Sequence, residues 1–470
     1  MLPTIVFFLS AAPLLLGQTP NGTLQMHAQA AQQAELRKDF PAAVREYEAL
    51  AKLLPNSAEV QSNLGVALYF ENDKRRAIQA FHKALGLDST LFVPHLFCGL
   101  AWYKLSNPDA AVPELERAVQ LNGADAIAHT WLGYAYIAQF RYRKAIAELQ
   151  TAGQIDSGNI DIWYALGQAY TEAGSEATAK LLKVAPNAGR VWQLAGEQAQ
   201  LQGDRPKALE LFEGAYQRRP DLTELRPLIA KLGGTATAAS SSPAVKDRQE
   251  DGLYKVAHND EQQARAAFQK VIEIAPDSYR AHQIMAEAYS AEQHYGKSNE
   301  EYEKVVALKP DLPGIHEAMG KNLVRAGKLQ EALSEFHVEL QSQPDSSMAY
   351  MNVGNALLLM QHDNEAEKML RQSLQLDRPP SETYKLLGKI DLTRRNYSGA
   401  IEMLTKYIGL APGDSDGYYM LSRAYRAIGN KSEMTRMLGL YKSTSDLYKD
   451  TPQATKSGDG TGSALPDLKK

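Results

Sequence analysis

Residues 163–170 read Trp163-Tyr164-Ala165-Leu166-Gly167-Gln168-Ala169-Tyr170. Trp163, Leu166, Gly167 and Tyr170 fall at i, i+3, i+4 and i+7, the spacing of one face of an α-helix. The same face recurs 34 residues earlier as His129, Leu132, Gly133 and Tyr136. It recurs again as His95, Cys98, Gly99 and Trp102, and again as Gln61, Leu64, Gly65 and Leu68. A fixed period of this size predicts an array of stacked units, none of which buries its apolar face alone.

The stretch resembles the first helix of a tetratricopeptide repeat (TPR), including the small residue after the leucine that lets a second helix come close. The second helix of such a repeat carries A-x-x-x-F-x-x-A and ends near a proline. Ala77, Phe81 and Ala84 fit this pattern, as do Ala208, Phe212, Ala215 and Pro220, and Ala43, Tyr47 and Pro55. The resemblance covers most of residues 24–440. It implies an all-α fold, a TPR α-solenoid: a right-handed superhelix of about twelve helix-turn-helix repeats in two blocks. It says little about the ligand, because one fold hosts many functions.

The chain has 470 residues, of which 44% are apolar and 23% charged, with a formal net charge of −4. That is an ordinary soluble composition. A charge this close to neutral gives no reason to expect nucleic-acid or membrane-surface binding. The one cysteine, Cys98, excludes an intrachain disulfide and sits on a packed face, where a thiol behaves as a small hydrophobe. Residues 1–16 are mostly apolar and carry no charged side chain, and a polar segment follows Gly17. Residues 1–17 are therefore expected to be a signal peptide, placing the protein in the periplasm or outside the cell. An uncleaved anchor is the alternative, and membrane contact is expected only in that case.

With Trp163 as position 4, units start at Leu24, Ala58, Phe92, Ala126 and Ile160. The fifth reads as truncated, with its second helix within residues 176–184. A sixth starts at Gly189 with the face Trp192, Ala195, Gly196 and Ala199. Residues 24–222 form the expected N-terminal block. Residues 223–244 form a linker that includes the small, polar, aperiodic stretch 233–243. The frame resumes with Ala264, Phe268 and Pro276, then with units from Tyr279, Pro313, Ser347, Ser381 and Ser415. Residues 245–448 are the expected C-terminal block with its capping helix, and 449–470 a disordered tail.

Catalytic signals are absent. Tyr295-Gly296-Lys297-Ser298 ends like a phosphate-binding loop but lacks its first glycine and its strand-to-helix context. His27, His95, His129, His282 and His316 all stand at position 4, where other repeats carry Trp or Tyr, so their spacing belongs to the fold. No metal or cofactor is expected, and no enzyme activity.

In the TPR family, first-helix positions 2, 5, 9 and 12 line the concave groove. This implies an apolar strip of Val66, Tyr69, Val93, Leu96, Leu100, Tyr103, Ile127, Tyr134, Ile137 and Tyr164, suited to a protein or peptide ligand. Further along, Lys321, Asn355, Lys385, Lys389, Arg423 and Arg426 imply a mostly basic groove, suited to an acidic peptide or an anionic glycan. The carboxylate clamp of chaperone-binding TPRs is not reproduced. Asn63 and Asn352 match its middle Asn, but Glu317, Lys321, Glu382 and Leu386 stand around Asn352 where other residues belong. The expected function is a non-catalytic protein-interaction scaffold; the alternative is a glycan-handling export accessory.

Overall fold

A computed structural model describes residues 22–237 and 247–447. The expected signal segment, residues 238–243 of the Gly/Ser-rich stretch and the 449–470 tail lie outside the described residues. The described residues form two compact units that divide between Ser157 and Gly158.

The first unit contains four helix pairs in the expected register. They are α1 (Gly22–Leu36) with α2 (Phe40–Leu53), α3 (Ala58–Phe70) with α4 (Lys74–Leu87), α5 (Phe92–Lys104) with α6 (Pro108–Leu121), and α7 (Ala126–Ala138) with α8 (Tyr142–Ile155). A turn and a cap separate the two helices of a pair. Asn72 takes a left-handed φ of 77°, and Asp73 then accepts a hydrogen bond from the Arg76 N–H at 3.1 Å. That satisfies a donor the helix start would otherwise leave open. Lys38, Ser106 and Phe140 repeat the left-handed turn at the same register position. Ala77, Phe81 and Ala84 of the second helix are fully buried, which is why the A-x-x-x-F-x-x-A pattern exists.

The second unit contains α9 (Ile160–Val184), α10 (Gly189–Leu201), α11 (Arg205–Arg218), α12 (Leu225–Leu232), α13 (Arg248–Ile274), α14 (Tyr279–Ala291), α15 (Tyr295–Leu308), α16 (Ile315–Arg325), α17 (Leu329–Ser342), α18 (Ser347–Leu359), α19 (Asp363–Gln375), α20 (Ser381–Thr393), α21 (Tyr397–Leu410), α22 (Ser415–Ala427) and α23 (Lys431–Leu447). From α14 onward these pair in sequence, five ordinary repeats.

The fifth repeat departs from expectation. Residues 176–184 are not a separate second helix, because α9 runs unbroken for 25 residues. The partner of its first half is the second half of α13. Phe268 lies against Gly167 so closely that a Cβ on the glycine would meet the ring at 2.5 Å. The pair Ala264 and Phe268 therefore completes the repeat that Trp163 begins. From Ile160 to Tyr279 is 119 residues where a repeat has 34, so 85 residues are inserted inside one repeat. Long insertions cost little chain entropy, because closure grows only logarithmically with length. The expected division at 223–244 is corrected accordingly: it does not separate two packed blocks. The described helices make ten in-frame pairs, plus α10, α11 and α12 in the insertion.

The insertion is built on the distal halves of α9 and α13. Leu181 and Leu182 from α9, Val191 and Leu194 from α10, and Tyr254 and Ala257 from α13 share one core. The α10/α11 hairpin packs as a repeat of its own, Phe212 against Gly196, and closes on α12 through Leu225 and Ile229. A charged cluster then ties the hairpin to the start of α13. The Arg190 guanidinium donates to Asp251 at 2.7 Å and to Glu224 at 2.6 Å, and its backbone N–H donates to Glu250 at 2.9 Å. Arg219 donates to both Asp221 oxygens at 2.8 Å and pairs with Glu250 at 3.0 Å.

Further along α13, burial pushes the Glu261 carboxyl up to about 7, against the opposing pull of Arg265. The Glu197 carboxylate, 2.9 Å from His258, holds that imidazole above its usual value. Both groups bind a proton more tightly folded than unfolded. Their stabilisation is complete in acid and is lost as pH rises, for Glu261 between 4.5 and about 7. The insertion is expected to melt higher at pH 5.5 than at pH 8 by an equivalent of about 2 kcal/mol. Glu261→Gln should remove most of that slope and raise stability at pH 8, as thermal melts at the two pH values will show. A wild-type chain with no slope would contradict the assignment.

Candidate functional site: the first-helix faces

In the first unit α3, α5 and α7 lie side by side, so their facing side chains interdigitate. Val66, Leu96 and Leu100 are buried. They belong to the core, a correction to their expected role as partner contacts. Tyr69 is half-buried and packs edge-on against Phe70 and Phe97, each at 5.4 Å. What stays partly open is Tyr103, Ile127, Tyr134 and Ile137, with Val93 exposed. Tyr103 and Tyr134 converge on Trp131, each 5.4 Å away and edge-on, while the Lys104 ammonium sits 5.1 Å above the indole. Trp131 stands at position 6, the position of the clamp Asn and of Asn352, and outside positions 2, 5, 9 and 12 that define the apolar strip. It falls one residue from Thr130 at position 5, and that adjacency was the available signal. Aromatic groups with one open edge offer contact area at low entropy cost.

In the second unit Tyr164 is 3% exposed. Its hydroxyl donates to Glu287 at 2.6 Å, and the Arg280 guanidinium lies 4.3 Å from its ring. Arg280 also donates to Asp161 at 2.6 Å. Tyr164 therefore joins the fifth repeat to the sixth across the insertion and is not presented to a partner, a second correction.

The basic strip is partly neutralised. Lys321 is exposed but donates to Glu317 at 2.6 Å, and Lys385 donates to Asp414 at 2.8 Å. Lys389, Arg423 and Arg426 are less constrained: each projects from a first helix with part of its side chain open to solvent. Between them and Lys321 stands α18. Its Asn352 is 5% exposed, and the side-chain N–H2 has no hydrogen-bond acceptor among the described residues. A buried donor left open costs about 1–3 kcal/mol, and this one lies just beneath the first-helix surface. Half-buried Asn355 lies one turn on, and exposed Met348 and Leu359 bracket the pair along the helix.

The position-4 histidines have a structural role that their spacing alone did not reveal. Each Nδ1 faces a glutamate 19 residues later: His27 and Glu46, His95 and Glu114, and His129 and Glu148 at 2.6 Å, and His282 and Glu301, and His316 and Glu335 at 2.7 Å. The pair ties the first helix of a repeat to its second. The glutamate was visible in the sequence at a fixed register position.

Three tetratricopeptide-repeat family models match residues 99–160, 252–278 and 349–380. No curated protein matches the chain. Among solved structures, MamA (41-end) from Desulfovibrio magneticus RS-1 is 28% identical over 31% of this chain and 82% of its own, with a TM-score of 0.30. A thermophilic TPR protein in Thermus thermophilus is 16% identical over 57% of this chain and 100% of its own, with a TM-score of 0.36. YrrB, described as a TPR protein with an unusual peptide-binding site, is 21% identical over 44% and 90%, with a TM-score of 0.29. Helix pairs that recur every 34 residues, a glycine in one helix under a Phe or Leu of the next, and three separate matches to the same family make this chain a tetratricopeptide-repeat protein.

Proposed function

We propose that the chain is a non-catalytic scaffold that holds an extended segment of a partner protein along its first helices. The observation that carries this is the unsatisfied amide of Asn352. A peptide carbonyl satisfies it once the buried side chain turns outward, and exposed Met348 and Leu359 give neighbouring side chains apolar contact. The half-buried Tyr103, Trp131 and Tyr134 offer a second contact area of the same kind in the first unit. The glycan alternative has less support, because Lys321 and Lys385 are already paired with carboxylates. Export remains part of the proposal and rests on the uncharged apolar residues 1–16. N-terminal sequencing of the protein from its source should then find a start after residue 17.

The test places a photo-crosslinking residue at position 355 in cells that make the protein. The expected adduct is protease-sensitive, and Asn352→Ala should cut its yield about fivefold or more. An adduct sensitive only to glycosidase would favour the glycan reading. A polypeptide adduct indifferent to Asn352→Ala would remove Asn352 from the site.

A further inference from the structure

The His95–Glu114 pair differs from the other four. Position 7 of its repeat carries Cys98, where Leu64, Leu132 and Leu166 stand in neighbouring repeats. On α4 the side chain of His82 reaches the same spot. One ligand atom each from His82, Cys98 and Glu114 lie within 4.8 Å of one another. We propose that these three side chains bind a single divalent metal ion of borderline softness, zinc in the first instance, with His95 positioning Glu114.

The donor set suits that ion. An imidazole nitrogen, a sulfur and a carboxylate oxygen are each ordinary zinc ligands, with bonds of roughly 2.0–2.3 Å. Tetrahedral ligands at such lengths stand roughly 3.5 Å apart, so a small side-chain adjustment from the observed separations completes the set. Three protein ligands leave a fourth position to water, as in open zinc sites.

Charge also balances. The ion brings two positive charges; the thiolate and the carboxylate bring one negative charge each, and His82 contributes a neutral lone pair. Burial pushes the Cys98 thiol well up, so it is protonated in the metal-free chain. Coordination forms the metal–sulfur bond, breaks the S–H bond and releases the proton to solvent. Cys98 is fully buried and His82 is exposed, so the ion enters from the His82 side.

Glu114 is already oriented. His95 Nδ1 faces its Oε2 at 2.6 Å, and the other ring nitrogen lies 3.2 Å from the Ser89 carbonyl oxygen. The ring is held at both ends and in turn holds the carboxylate, as outer-shell partners of metal ligands do.

The test uses the untagged, full-length, metal-free chain and Co2+ alone, followed by Zn2+. One Co2+ per chain should give a thiolate-to-cobalt charge-transfer band, and one equivalent of Zn2+ should abolish it. Cys98→Ser should eliminate the band. His82→Ala, at an exposed position that leaves the core intact, should weaken binding about 10-fold or more, and His95→Gln by about 10- to 100-fold. Glu335→Gln, at a dyad without a thiol, should leave binding unchanged. Metal-free melts of each variant separate lost binding from lost folding. No band with wild type, or a band unaltered by Cys98→Ser or His82→Ala, overturns the proposal.

Discussion

A chain lacking residues 175–259 should fold, keep its helical content per residue, and unfold cooperatively through its C-terminal repeats. The reason is register. Gly174 stands at the position where Lys38, Asn72, Ser106 and Phe140 take a left-handed φ between helices. In the intact chain that position is helical, because α9 runs through it. Asp260 stands at the next position, where Asp39, Asp73 and Asn107 cap second helices. Joining Gly174 to Asp260 restores a turn, a cap and a 34-residue repeat whose Phe268 still covers Gly167. The cores lost with the insertion are its own. Repeat arrays gain stability from local terms and neighbour interfaces, so the remaining pairs should lose little.

The opposite cut should fail. A fragment ending at residue 232 retains α9 but lacks α13, leaving the Leu166, Gly167 and Tyr170 face without its partner. It should aggregate or lose the fifth repeat, which size-exclusion chromatography and circular dichroism will report. If the fragment proved a well-folded monomer and the excised chain did not, the pairing of α9 with α13 would be wrong.

Arg219→Ala is the second large effect, about 3–5 kcal/mol of local destabilisation. Arg219 is 5% exposed and faces Asp221, Glu250 and Asp251. Removing it leaves Glu250, equally buried, with much of its charge uncompensated. Burial alone would raise the Asp251 carboxyl, but Arg190 and Arg219 together hold it below its usual range. A depressed carboxylate stabilises above its unfolded pKa and ceases to do so as pH falls through the folded value. This contribution therefore disappears only in strong acid, in a window separate from that of Glu261. Hydrogen exchange should quicken in α10, α11 and α12 while α14 to α23 stay protected. Arg219→Lys should recover part of the loss, since an ammonium keeps the charge but not the two-pronged bond to Asp221. Unchanged exchange in α10 to α12 would show that the cluster does not hold the insertion.

Much of the fold was legible because a TPR is specified locally. The 34-residue period, the small residue under an aromatic, and the left-handed turn before each cap are short-range rules that recur repeat after repeat. The pairing of α9 with Phe268 was not legible, because periodicity cannot see through an insertion. A second helix is sought in the residues that follow the first, and the stretch up to Val184 offers itself there. The groove escaped for another reason. Register says which face of a helix Val66, Leu96, Leu100 and Tyr164 occupy, but their exposure depends on how closely adjacent first helices lie.

The sequence by itself determined the repeat and the starts of its in-frame units, since these rest on backbone conformation and neighbouring side chains. Only the tertiary structure decided which helix closes the fifth repeat, which apolar residues remain open, and that Cys98 meets His82 and Glu114. Those outcomes depend on side chains meeting across separate helices, and distance along the chain carries no information about such encounters.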